Sequence, residues 1–331
     1  MAEAAAVDPG KVPCFNLGPG RKIPCIGMGT FGSDKYGPEE VAAAVAGALR
    51  FGYRLFDCAS VYGNEDRIGG VFEAAFREGV KREEVFIISK VWNDMHGPGD
   101  VLFSLAKTLR DLRLDYVDAY FVHWPFPNYH APGCDGDARN PNSVPFSPDR
   151  FMATWAQMER ISGMGLTKNL GMSNMTVSKL ETILPRCRIK PALIEMEQHP
   201  SFQQRELFDY CRSKNITVIG YCPIGSPNRP ERDKSPGDVA DTELPEVAAA
   251  AAAHGIHPAL VCLKWAVQRG SVPIPFSVHA KNYESNLRSV IEDPLGAEEM
   301  EALTRAERNC RLVKGQVFLW PGAKGWEDLW D

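Results

Sequence analysis

Short runs rich in Val, Ile, Leu and Phe alternate with helix-period segments about eight times along the chain, strand before helix. No other feature constrains the fold as tightly. A strand followed by a helix and then another strand returns in the same direction, so the alternation predicts a parallel sheet clothed in helices. "YRLFDCA" (53–59), "EVFIISKVW" (84–92), "YVDAYFVHW" (116–124), "TKNLGMS" (167–173), "PALIEMEQ" (191–198), "ITVIGYCP" (216–223) and "SVPIPF" (271–276) read as strands. Between them lie helical patterns. In "GDVLFSLAKTLRDLRL" (99–114), Leu102, Leu105, Leu109 and Leu112 share one face. Long polar loops follow at 125–147 and 225–241. An open doubly wound sheet and a closed barrel both fit this order. The strands are short, evenly spaced and uninterrupted by a linker, so the expectation is one (β/α)₈ TIM barrel domain over 1–331, with long loops at the C-terminal face.

Composition narrows the function. The net charge is −5, the basic residues are scattered, and no apolar run approaches the ~20 residues of a membrane span. No nucleic-acid or membrane partner is expected. The opening "MAEAAAVDPGK" lacks a basic segment followed by an apolar one. Nine widely spread cysteines with no C-x-x-C pair fit reduced thiols, hence a cytoplasmic protein.

"IGMGTFG" (26–32) has the Gly27-x-Gly29-x-x-Gly32 spacing of a dinucleotide-binding turn. That turn needs its helix to begin inside the motif, so that the helix N-terminus meets the pyrophosphate. Here "SDKYG" intervenes and Pro38 marks the first helical position. Asp57, 25 residues beyond Gly32, stands too far along for the ribose-binding acid. The spacing therefore argues for a glycine-rich turn at a barrel mouth.

Asp57, Tyr62, Lys90 and His123 each sit at or just past the end of a predicted strand. In a barrel those positions converge on the catalytic face. A free phenol ionises near pH ~10, too weak an acid to protonate an alkoxide efficiently at neutral pH. An adjacent Lys90 ammonium, held by Asp57, is expected to lower the pKa of Tyr62, and His123 to orient a carbonyl oxygen. The set contains no nucleophile–base pair and no zinc-ligand spacing. It suggests proton donation to a carbonyl that receives hydride.

At this point the chain resembles the aldo-keto reductases over nearly its whole length. "GYRLFDCASVYGNE", "SKVW", "LDYVDAYFVHWP", "LGMSN", "IKPALIEMEQHPSFQQREL" and "YCPIGSPNRP" are similar to that family's block motifs, in order. The resemblance implies NADPH or NADH bound at the mouth of a (β/α)₈ barrel, with Asp57, Tyr62, Lys90 and His123 as catalytic tetrad and Tyr62 as general acid. It also implies cofactor contacts from Thr30, Asp57, Ser173, Asn174 and Glu195, from Tyr221 stacked on the nicotinamide, and from Ser226 and Asn228 over the pyrophosphate. Phe276, Ser277, Asn282 and Asn286 occupy the segment that meets the adenosine. Phe31, Tyr62, Trp92, His123 and Trp124 are the implied substrate-binding residues. The loop "APGCDGDARNPN" and a tryptophan-bearing tail are similar to the xylose and aldose reductase branch. Loop 125–147 and Trp320, Trp326 and Trp330 of the tail are expected to close a pocket walled by Phe31, Trp92 and Trp124, where Asn128, Asp135 and Asn140 either bind sugar hydroxyls or merely solvate a surface loop.

Two segments depart from the pattern. Glu195 replaces the usual glutamine and alternates with Glu197 and His199 on one strand face, which raises a metal site as an alternative to cofactor and structural contacts. No metal is expected. Phe276 and Asn282 stand where NADPH users carry a lysine and an arginine, with Lys281 as a substitute cation. NADH use follows as an expectation. The leading function is an NAD(P)H-dependent reductase of sugar or other small aldehydes, as a monomer or homodimer. A non-catalytic, redox-sensing barrel subunit is the alternative, and a flavin or metal barrel enzyme a third.

Overall fold

The computed structural model describes residues 5–331 apart from 132, 133, 137, 227 and 228. It opens with a feature not anticipated from the sequence, an antiparallel hairpin of β1 (Cys14–Gly18) and β2 (Arg21–Pro24). Its turn places Gly18 at φ 117° and Gly20 at φ 69°, left-handed values that glycine adopts without strain.

Eight parallel strands follow: β3 (Met28–Gly29), β4 (Leu55–Asp57), β5 (Phe86–Val91), β6 (Val117–Val122), β7 (Thr167–Ser173), β8 (Leu193–Glu197), β9 (Thr217–Tyr221) and β10 (Val272–Pro273). Each pairs with its neighbour in chain order. The sheet closes on itself through Gly27 N–H to Pro273 O, 3.0 Å, and Gly29 N–H to Pro275 O, 3.1 Å. The result is a (β/α)₈ barrel.

That seam explains the glycine motif. A Cβ on Gly27 would stand 2.6 Å from the Leu55 side chain, one on Gly29 3.0 Å from Ile274 O, and one on Gly32 2.6 Å from Tyr36 O. These glycines let backbones approach where the barrel closes and turns. Gly171 does the same inside β7, where a Cβ would strike the Phe121 ring at 2.3 Å.

The barrel interior is packed, not hollow. Leu55, Phe86, Ile88, Ala119, Phe121, Leu193, Ile219, Val272 and Ile274 fill it, and Leu17 and Ile23 of the hairpin cap its N-terminal end. Around it run α1 (Pro38–Phe51), α2 (Glu65–Arg77), α3 (Asp100–Leu112), α4 (Pro148–Gly163), α5 (Val177–Ile183), α6 (Arg205–Ser213), α7 (Pro245–His254), α8 (Pro258–Arg269), α9 (Ala280–Ser289) and α10 (Ala297–Thr304). Proline opens α1, α4, α7 and α8, where its missing N–H has no partner to lose. On α3 the expected stripe turns inward, with Leu105, Leu109 and Leu112 buried and Leu102 half-buried.

Candidate active site

Strand alternation sends Asp57, Lys90, Glu195 and Tyr221 into the barrel at its C-terminal rim, one layer above the apolar filling. Lys90 is wholly buried, and its Nζ donates to Asp57 Oδ1 at 2.5 Å and to Cys58 O at 3.3 Å. A 3₁₀ turn, Ser60–Tyr62, follows β4 and brings the Tyr62 hydroxyl 3.5 Å from the same ammonium. His123, one residue past β6, packs its ring edge-on to Tyr62 at 5.9 Å and to Trp92 at 4.9 Å. The four residues singled out at strand ends therefore meet at one mouth.

Burial sets their proton affinities. It raises Asp57, while the Lys90 ammonium opposes the rise. Lys90 itself is held well above its ordinary value, because Asp57 and Glu195 outweigh its desolvation. His123 is pushed far down by burial and then by Lys90, so its imidazole is neutral and offers a hydrogen bond rather than a charge. Tyr62 differs from expectation. Burial outweighs Lys90, and Asp57 and Glu195 add to it, so the phenol lies above its usual value, not below. The ammonium beside Tyr62 is legible in the sequence, whereas the burial of the phenol and the opposing charges of Asp57 and Glu195 are not.

Several expected cofactor residues have other partners already. Thr30 is wholly buried and its hydroxyl donates to Asp57 O at 2.8 Å, fixing the end of β4. Asn174, left-handed at φ 58°, donates to His123 O at 2.9 Å and accepts from the Tyr221 hydroxyl at 2.7 Å. Its amide thus positions two neighbours of the site. Ser173 donates to Glu195 O at 3.0 Å. Ser226 lies at φ 30°, and its carbonyl accepts from Arg229, which pairs with Asp238. Asn228 lies outside the described residues.

At the adenosine end, Phe276 packs against Tyr36, centroids 5.9 Å apart. Ser277 Oγ accepts from His279 N–H and from Asn282 Nδ2, both at 3.1 Å. Asn286 is half-buried, and Lys281 is exposed at the start of α9.

Phe31, Trp92 and Trp124 fall into two groups. Phe31 lies 5.2 Å from Tyr62. Trp92 and Trp124 are buried with Phe126, Phe318 and Leu329 of the tail, and Trp124 stands 5.6 Å from Trp330. Asn128 is a brace rather than a sugar contact. It is buried, donates to Val144 O and Phe318 O, and accepts from Val144 N–H, so it ties the loop to the tail. Asp135 is exposed. Asn140 lines a cleft of about 660 Å³ shared with Arg139, Trp320 and Trp326, which none of the four mouth residues lines.

Glu195, Glu197 and His199 do not act together. Glu195 turns to Lys90, 3.4 Å away. His199 lies between Glu197 and Asp241, both at 2.9 Å. Glu197 also accepts the backbone N–H groups of Leu312 and Val313, at 2.7 and 2.8 Å. Among the described residues, no group of three or more His, Cys, Asp or Glu is placed to hold a metal ion. The Asp241 link was not found in the sequence, because nothing local pairs that aspartate with His199.

The profile of the aldo/keto reductase family matches residues 25–308. The chain belongs to the aldo/keto reductase family. An aldo/keto reductase of Synechocystis is 40% identical over 96% of both chains. Human aldo-keto reductase family 1 member A1 is 36% identical over 91% of both. Among solved structures, a Bombyx mori aldo-keto reductase in complex with NADP superposes with a TM-score of 0.81 at 28% identity, covering 93% of this chain and 96% of that one. The aldose reductase of Schistosoma japonicum gives 0.77 at 36% identity, with 93% and 95% covered. This aldo/keto reductase is thus an oxidoreductase of a family that acts on small carbonyl compounds.

Proposed function

We propose that this chain reduces aldehydes, sugar aldehydes or small and aromatic ones, to alcohols with NADPH or NADH. The observation that carries the reading is the Tyr62 hydroxyl 3.5 Å from a fully buried Lys90 ammonium that is anchored on Asp57 at 2.5 Å, beside a neutral His123. Tyr62, protonated at neutral pH, gives its proton to the carbonyl oxygen as that oxygen gains charge. The His123 ring donates a hydrogen bond to the same oxygen and orients it. Lys90 stabilises the tyrosinate left behind, and Asp57 holds Lys90.

Three buried polar atoms at the mouth, Glu195 Oε2, His123 Nδ1 and Trp92 Nε1, have no hydrogen-bond partner among the described residues. Such atoms fit a bound amide and carbonyl. The hydride would come from a nicotinamide cofactor bound at the mouth. Glu195, Ser173, Tyr221, Ser226 and Asn228 are the residues to hold it, with Phe276, Ser277, Asn282 and Asn286 at its adenosine end. Phe31, Trp92 and Trp124 border the substrate. The loss of two cations at 276 and 282 supports good use of NADH, since each missing charge-assisted bond to a 2′-phosphate forfeits about 1.5–3 kcal/mol. Nine free cysteines fit a cytoplasmic enzyme, working as a single barrel domain, monomer or homodimer.

The test is steady-state reduction of xylose, glyceraldehyde and aromatic aldehydes with each cofactor. Oxidation of neither cofactor by any aldehyde rejects the reading. The cofactor arm is Kd by fluorescence quenching. Phe276→Lys/Asn282→Arg is expected to tighten NADPH at least tenfold and leave NADH unchanged. A wild type that already binds NADPH a hundredfold tighter than NADH rejects that arm.

A further inference from the structure

Two carboxyls and one ammonium are sealed together beneath the mouth. The side chains of Lys90, Asp57 and Glu195 are 0, 3 and 4% exposed. Among the described residues, Lys90 is the only cation within ion-pair reach of either carboxyl, 2.5 Å from Asp57 and 3.4 Å from Glu195. Charge decides how many protons the pair carries. With one proton the cluster is neutral, and without it the cluster carries −1 in a site closed to water, which burial disfavours.

Asp57 has the shorter contact with the ammonium, whereas Glu195 Oε2 has no hydrogen-bond partner among the described residues. The other titratable groups around the cluster do not replace the missing charge. Tyr62 and Cys58 flank Asp57, His123 is neutral beyond β6, and Tyr221 rises from β9 with its pKa also raised. Glu197 and His199, further along β8, are paired with each other.

We propose that the proton shared by Asp57 and Glu195 resides on Glu195 at neutral pH, and that its release weakens Tyr62 as an acid. Glu195 is then a positioning residue, acting through Lys90 and Tyr62. Burial first, and the Asp57 charge second, push Glu195 up to about 8, which places the release just above neutrality. While Glu195 is neutral, Tyr62 faces one ammonium and one carboxylate. Once it ionises, a second negative charge opposes formation of tyrosinate, and reduction slows. The inference rests on the reading of Tyr62 as proton donor.

The experiment has two readouts. One is the single-turnover rate of aldehyde reduction against pH for wild type, Glu195→Gln and Glu195→Asp. The other is the infrared carboxyl C=O band of the enzyme without ligands over the same range. In wild type the rate is expected to fall about three- to tenfold as pH rises through about 8, with loss of a buried carboxyl band over the same interval. Glu195→Gln is expected to lack both changes, and Glu195→Asp to keep a transition. A Glu195→Gln enzyme that retains the wild-type transition, or a wild type without a band that this substitution removes, overturns the inference. A band that titrates while the rate stays flat overturns the link to Tyr62. Full activity in Tyr62→Phe rejects the donor reading itself, a result separate from any of these.

Discussion

Glu195 and Glu197 stand two residues apart on the same inner face of β8, and both are buried, yet their proton affinities move in opposite directions. Glu195 rises to about 8, through burial and then the Asp57 charge. Glu197 falls below its ordinary value, although burial alone would raise it. The difference lies in partners. Glu197 receives His199 and two backbone N–H groups, with the Arg311 guanidinium nearby, whereas Glu195 shares one lysine with a competing carboxylate and leaves an oxygen unbonded. Burial makes a charge expensive, and partners decide whether the group stays charged. One glutamate serves as a clamp between strand, loop and tail, while the other stays poised to exchange a proton.

Substitutions at either end separate the two glutamates. Tyr62→Phe, at the poised end, is expected to cost 10²–10⁴-fold in kcat, about the worth of a general acid, with Kd for cofactor nearly unchanged. Retention of more than about a tenth of wild-type kcat removes Tyr62 from the chemistry. At the clamped end, His199→Ala leaves Glu197 and Asp241 facing each other without a cation. It is expected to lower unfolding free energy by about 3–5 kcal/mol, read by denaturant titration, with kcat of the folded protein changed far less.

The pH dependence of stability separates the two ends more finely. His199 binds its proton more tightly folded, at about 9, than unfolded, near ~6.5. Its contribution is therefore complete below pH ~6.5 and disappears as pH rises through about 9, a loss of up to about 3 kcal/mol. Glu195 too is raised on folding, so its effect has the same sign over an earlier window, from pH ~4.5 to about 8. Glu195→Gln should flatten the earlier part of the fall and His199→Ala the later part. A stability profile unchanged by both substitutions would contradict both assignments. The smallest effect is expected from Arg311→Ala. It removes a guanidinium 3.5 Å above the Trp330 ring, at about 0.5–2 kcal/mol, and should loosen the tail to protease before it changes turnover.

Asp57, Lys90 and His123 were legible because each ends a strand, and a parallel barrel gathers strand ends at one rim. What joins them to Glu195 was not. Lys90 and Glu195 lie on β5 and β8, and their 3.4 Å contact depends on barrel register, which no local pattern encodes. For the same reason the sequence grouped Glu195, Glu197 and His199 by alternation alone, whereas the loop bearing Asp241 and the tail at Leu312 and Val313 divided them. The depression of the Tyr62 pKa was inferred from one neighbour and reversed by burial and two others. The hairpin at 14–24 escaped notice because its strands are short and bury only Leu17 and Ile23 fully, with Phe15 half-buried beside them. Asn128 illustrates the converse, a polar residue in a loop whose amide is occupied by backbone groups.

The hairpin has a consequence for traffic. With Leu17 and Ile23 stoppering one end and the interior filled by side chains, the barrel has a single doorway. Two ligands that share a doorway must queue. The one seated deeper enters first and departs last, and the later arrival blocks its exit. The loop bearing Asp241 and the tail at Leu312 and Val313 are tied to the barrel through Glu197 and His199, so the fastening lies outside the cluster of Asp57, Tyr62, Lys90 and His123.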